Sequence, residues 1–209
     1  MTLLDRFVLL LTGLTALYLI WRFFDDYRQT KSNSDIYYII SFAVLLVAGL
    51  LLIAFGYGVL GSPWVVIVSV LIPAGLSLGL VSEFFSKYEK GYLIFVIIGL
   101  LAIAITRLTG PEGATIDTIV LVIVHAIAGL IIVIVPILAV TRKLAPGGFI
   151  FVSIGGILID LGGIALAFLK LGKQFLFFSE SVVFTILAPL LLLMALAFAW
   201  GFMKKLKAA

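Results

Sequence analysis

The sequence predicts an all-α integral membrane protein, with seven transmembrane helices in one bundle and a single domain over residues 1–209. Three observations carry that expectation. The chain is 64% hydrophobic and only 11% charged, with a mean hydropathy of +1.35. A water-soluble domain carries roughly 25% charged residues, so this chain cannot cover a water-facing surface. Its apolar residues fall in runs near the roughly 20 that let a helix cross a hydrocarbon core. They do not show the alternating pattern of a membrane β-barrel. Finally, the connections are short. The longest polar one, "RFFDDYRQTKSNSD", covers Arg22 to Asp35, and no soluble catalytic, nucleotide-binding or DNA-binding module is expected.

Taken in order, the first span is expected over 7–24, giving way to that polar connection, and the second over 36–56. The third, 63–82, contains Pro73 and is followed by Glu83, Lys87, Glu89 and Lys90, which read as a solvated loop. The fourth, 91–108, ends at Arg107, a residue able to snorkel outward. The fifth, 116–140, holds the only histidine, His125, and Pro136. The sixth, 148–169, has Asp160 near its centre and ends at Lys170. The seventh, 181–203, contains Pro189 and runs into the "KKLK" tail, expected to rest against anionic headgroups.

Lys and Arg concentrate on the cytoplasmic side of membrane proteins. The side with the first, third and fifth loops and the C-terminus holds ten of the basic residues. The other side holds four: Arg6, Arg107, Lys170 and Lys173. The N-terminus is therefore expected outside and the C-terminus in the cytoplasm, in a multi-pass protein of the cell membrane. Tyr37, Tyr38, Tyr88, Tyr92, Trp21 and Trp200 fall near the inner interface, and Tyr57 and Trp64 near the outer one, as an aromatic belt requires. The net charge of +4 then reflects topology, and no nucleic-acid partner is expected.

The N-terminus lacks the pattern of a cleavable signal peptide, because Asp5 interrupts its basic region. The first span is expected to stay as a signal anchor. Cysteine is absent, which removes disulfides, thiolate metal sites and thiol catalysis. Asn33, Gln29 and Gln174 are the whole complement of side-chain amides, a scarcity that fits a thermophile.

Many transporters are built from repeats. Sliding the chain against itself by about 112 residues sets Asp5 on Asp117, Ala16 on Ala128, Ile20 on Ile132 and Ser41 on Ser153. With small gaps Pro73 meets Pro189, so spans one to three repeat as spans five to seven and span four links them. This three-plus-one-plus-three layout is similar to that of the SWEET and PQ-loop families, and more loosely to microbial rhodopsins. The likeness is one of topology: the prolines stand in "LIPAG" and "LAPLL" rather than beside a glutamine, and the last span has no lysine to bind retinal. A light-driven rhodopsin is excluded.

Asp160 is the leading candidate for chemistry. A charged carboxylate at mid-membrane costs about 2.5–3.5 kcal/mol on insertion scales and is a functional candidate by default. Ser153, Gly156, Asp160, Gly163 and Ala167 are spaced by three and four residues, so they share a helix face. That stripe of small residues suits close helix approach, and it aims Asp160 at protein. Spans five and six run in opposite directions, which sets His125 at nearly the depth of Asp160 and opens a pairing able to carry a proton. The structural alternatives are a protonated Asp160 bonded to a backbone carbonyl and a neutral His125 doing the same. Pro73, Pro136 and Pro189 each free a carbonyl and bend a helix, forming hinges or only shaping packing. Around Pro73, Ser69 and Ser77 are expected to add the polar wall of a path.

No mid-membrane serine–histidine pair, second aspartate or phosphate-binding cluster is apparent, so no enzyme, cofactor or metal site is expected. The reading that follows is a small transporter or channel for a small solute, proton or cation, with its polar centre at Asp160, His125 and Ser153. The alternative is an accessory subunit of a larger membrane complex or homo-oligomer, or a seven-helix sensor without its own output domain. A cavity that reaches Asp160 would favour transport.

Overall fold

A computed structural model describes residues 1–110, 115–170 and 179–207. Among these residues the chain is helical and has no strand. It forms α1 (Leu3–Thr30), α2 (Asn33–Phe55), α3 (Pro63–Ser69), α4 (Leu71–Phe84), α5 (Glu89–Thr109), α6 (Thr115–Thr141), α7 (Phe151–Lys170) and α8 (Glu180–Leu206). Short 3₁₀ turns occupy Tyr57–Gly61, Ser86–Tyr88 and Gly147–Ile150. Seven helices are long and apolar enough to cross a membrane, the third being α3 and α4 counted together as Pro63–Phe84. Lys173 and Glu112 lie outside the described residues.

Three boundaries depart from the sequence expectation. The first helix runs on through the supposed polar connection to Thr30, because nothing between Arg22 and Thr30 breaks it. It stops where Lys31 turns into the left-handed region at φ 55°, its N–H still bonded to the Tyr27 carbonyl. Its start is fixed by a reciprocal cap: the Thr2 hydroxyl accepts from the Asp5 N–H at 3.1 Å, and the Asp5 carboxylate accepts from the Thr2 N–H at 2.7 Å. The third span is two helices with a joint at Val70. Pro73 explains the joint, since it has no N–H to give the Ser69 carbonyl four residues back. In α6 and α8, by contrast, Pro136 and Pro189 are carried inside continuous helices. Third, the supposed loop residues Glu83 and Glu89 belong to helices α4 and α5.

Six spans touch in cyclic order: α1 packs on α2, α2 on α4, α4 on α6, α6 on α7, α7 on α8, and α8 back on α1. Helix α5 packs against α6, α4 and α3. Between membrane helices van der Waals packing and close backbone approach replace the hydrophobic effect, and small residues permit the approach. Glycines sit at these junctions accordingly. Gly13 faces Leu46 between α1 and α2, and Gly79 faces the Tyr38 ring between α4 and α2. Gly155 faces the Phe198 ring between α7 and α8, and Gly201 faces Val152 there.

Two ends can be told apart. Leu9 near the start of α1 packs with Leu52 near the end of α2 and Ala188 in the first part of α8. This is the amino end. At the opposite, carboxyl end, all six spans of the cycle send side chains into one buried cluster. Its aromatic members Phe23, Tyr38, Phe42, Phe149, Phe198 and Phe202 are fully buried. Phe202 makes edge or tilted contacts with the Phe23 and Tyr38 rings at 5.0 and 4.8 Å. Such pairs contribute about 0.5–1.5 kcal/mol each beyond the area they bury. Tyr38 is therefore an interior residue and not part of an interfacial belt. Its hydroxyl donates to Glu83 at 3.0 Å, and Glu83 pairs with Lys205. Lys205 thus ties α8 to α4, two helices that are not neighbours in the cycle, instead of only meeting headgroups.

Candidate functional site

Helices α6 and α7 present the polar centre. Every described member of the α7 stripe meets α6. The Ser153 hydroxyl donates to the Val133 carbonyl at 2.7 Å, next to the Ile132 carbonyl that Pro136 leaves without its usual N–H. Gly156 lies against Ile132 and Val133. Asp160 lies over Gly129, where a Cβ would collide with its carboxylate oxygens. Gly163 lies under His125, where a Cβ would come 2.7 Å from Nε2. Each helix therefore carries a glycine that seats the other's polar side chain.

This arrangement brings His125 Nε2 to 3.8 Å from Asp160 Oδ1. That distance is too long for a direct hydrogen bond, and both atoms are buried without a hydrogen-bond partner. The two side chains retain 21% and 23% exposure. The pair can be an ion pair when the imidazole is protonated, and a ligand atom or water that reaches it can bridge the two groups.

Both residues line a cavity of about 770 Å³ in the amino half of the molecule. It extends from Tyr57, Gly58 and Glu180 at the amino end to Leu45, Ile72 and Met194, where the aromatic cluster begins. Most of its wall is Leu, Ile, Val, Ala and Gly. Ser69 and Pro73 line it, and the Ser69 hydroxyl donates to the Val66 carbonyl at 2.9 Å. The structure moves the other expected residues away. Ser77 is fully buried, bonded to the Ala74 carbonyl and to the Tyr92 hydroxyl at 2.8 Å, and links α4 to α5. Ser153, Pro136 and Pro189 are absent from the cavity wall. They act on helix shape and contact.

One group was missed altogether. Arg107 does not snorkel: its side chain is 3% exposed and bonds Asp117 at 2.9 Å, with Asp117 itself 8% exposed. Thr118 donates to the other carboxylate oxygen at 2.9 Å. Arg107 and Thr118 line the cavity toward the amino end. Asp117 precedes His125 by eight residues on α6, about 12 Å at the helical rise. The signal was present as opposite charges set one turn inside the ends of two helices joined by a short connection. Among the described residues, no group of three or more His, Cys, Asp or Glu side chains could hold a metal ion.

The helices and their apolar faces are the build of a multi-pass membrane protein. No protein-family model, no curated protein and no solved structure matches the chain.

Proposed function

We propose that the protein is a small transporter of the cell membrane, a seven-helix bundle whose substrate reaches Asp160 through the amino-half cavity. The observation that carries this reading is the cavity itself. It meets the His125–Asp160 pair from one end, while the aromatic cluster and the Glu83–Lys205 pair fill the other. A cavity on one side of a packed barrier is what a carrier in one of its two states requires. The cyclic packing order also supports the three-plus-one-plus-three repeat. Exchanging spans one to three with five to seven turns the α1–α8 junction into the α6–α4 junction and leaves the pattern unchanged. With the basic residues inside, the cavity lies on the exterior side.

The chain has no cysteine, so single-cysteine variants need no background removed. A membrane-impermeant thiol reagent should modify Ser69→Cys from the exterior and leave Ser77→Cys untouched. Ala195→Cys, inside the barrier, should react from the cytoplasmic face in the fraction of molecules that has switched state. A C-terminal reporter should read as cytoplasmic. If Ser69→Cys is inert from both faces, no path leads to Asp160 and the transport reading is wrong.

A further inference from the structure

We infer that the cavity takes an organic cation with an apolar body, its charge held by Asp160; this deepens the transport reading and rests on it. Size comes first. A volume of about 770 Å³ lies within the roughly 300–1,000 Å³ of sites for drug-sized molecules, far more than a bare ion fills. The wall chemistry then restricts the occupant. Its largely aliphatic surface offers little to a sugar, whose many hydroxyls need matching donors and acceptors. An inorganic divalent cation fares no better, because it needs about six or more oxygen ligands and Asp160 is the sole carboxylate at that depth among the described lining residues.

Charge decides the sign. Two carboxylates line the cavity, Asp160 within it and Glu180 at its mouth. Arg107 is the only Lys or Arg among the described lining residues, and Asp117 neutralises it. His125 adds positive charge only when protonated. An anion entering would therefore meet a net negative charge on the described lining residues, whereas a cation gains from both carboxylates. Arg107 Nε and Nη2 are also buried without a hydrogen-bond partner, but the Asp117 carboxylate 2.9 Å away already balances the guanidinium charge. The Asp160 carboxylate, on a side chain 23% exposed and with its Oδ1 lacking a hydrogen-bond partner, is the acceptor such a cation would satisfy. Nearer the mouth, the Tyr57 and Phe184 rings line the wall as a stacked pair, centroids 5.3 Å apart, and aromatic faces attract cations.

Tetraphenylphosphonium and tetraphenylborate test this directly, because they share size and shape and differ in the sign of their charge. Titrated into the purified full chain in detergent and followed by calorimetry, the cation should bind saturably and at least tenfold tighter than the anion. Asp160→Asn, which keeps the side chain's size, should weaken the cation at least tenfold and leave the anion unchanged. The wild-type comparison needs no variant to fold. Equal affinity for the two ions, no saturable binding of the cation, or undiminished cation binding to Asp160→Asn overturns the assignment. Each of those results leaves the labelling of Ser69→Cys and Ala195→Cys untouched, so a wrong substrate class and a wrong transport reading give different outcomes.

Discussion

Replacing Asp117 by Asn tests how α5 is held to its neighbour. Asparagine keeps an oxygen for the Thr118 hydroxyl, so the change removes little except the charge that faces Arg107. At 2.9 Å, and with an effective dielectric of about 20, the gross attraction of the pair is roughly 6 kcal/mol. Desolvation offsets part of that in the intact protein, but in the variant it is left uncompensated, because the guanidinium stays buried. Breaking a buried pair from one side costs about 3–5 kcal/mol, which is the expected loss of stability. Arg107→Met should lose a similar amount. The double variant, Arg107→Met with Asp117→Leu, removes both charges and should return to within about 1 kcal/mol of the parent. Denaturant titration of the detergent-solubilised protein, followed by fluorescence of its three tryptophans, compares the parent with Asp117→Asn, and closes a cycle over the parent, Arg107→Met, Asp117→Leu and their double variant. If Asp117→Asn loses less than about 1 kcal/mol, or the double variant is as unstable as the sum of the singles, the ion pair does not join these helices.

The two glycine seats make a second test. Gly129→Ala and Gly163→Ala should each destabilise by about 1–3 kcal/mol through overpacking, whereas Gly58→Ala, with nothing within 4 Å of an added Cβ, serves as the silent control. Combining Gly129→Ala with Asp160→Ala should recover most of the loss in the same titration; if it does not, the carboxylate is not what fills that space. At the closed end, Glu83→Gln keeps an acceptor for Tyr38 but loses the Lys205 pair, with a stability loss of about 1–2 kcal/mol. It should also speed modification of Ala195→Cys from the carboxyl end; an unchanged rate would mean that this pair does not hold the barrier shut.

Features set by periodicity were legible from the chain. The seven apolar runs gave the spans, and three- and four-residue spacing placed Ser153, Gly156, Asp160 and Gly163 on one face, which packs on α6. Counting helical rise along two antiparallel spans brought His125 to Asp160. Features decided by which side chain a distant helix supplies were not legible. Glu83 and Lys205 are far apart in the chain, and nothing in either neighbourhood names the other. Tyr38 looks like any interfacial tyrosine until Phe23 and Phe202 are seen to enclose it. Ser77 and Ser69 share a span and a residue type, yet the joint at Val70 and the position of Tyr92 send one to the cavity and the other to α5. Hydropathy reports which residues avoid water and is silent about which of them meet.

The reciprocal seating of His125 over Gly163 and Asp160 over Gly129 has a mechanical consequence. A helix pair joined by a single knob in a single socket can still pivot about that point. Two knobs pointing in opposite directions remove the pivot. Sliding α7 along α6 by one residue, about 1.5 Å, would drive a carboxylate or an imidazole into backbone at both places at once. Helices α6 and α7 must therefore travel as one stiff plank in any rearrangement, carrying the polar pair with its internal geometry fixed. The freedom for such a movement is left to joints elsewhere, and the interrupted third span, with its break at Val70, supplies one.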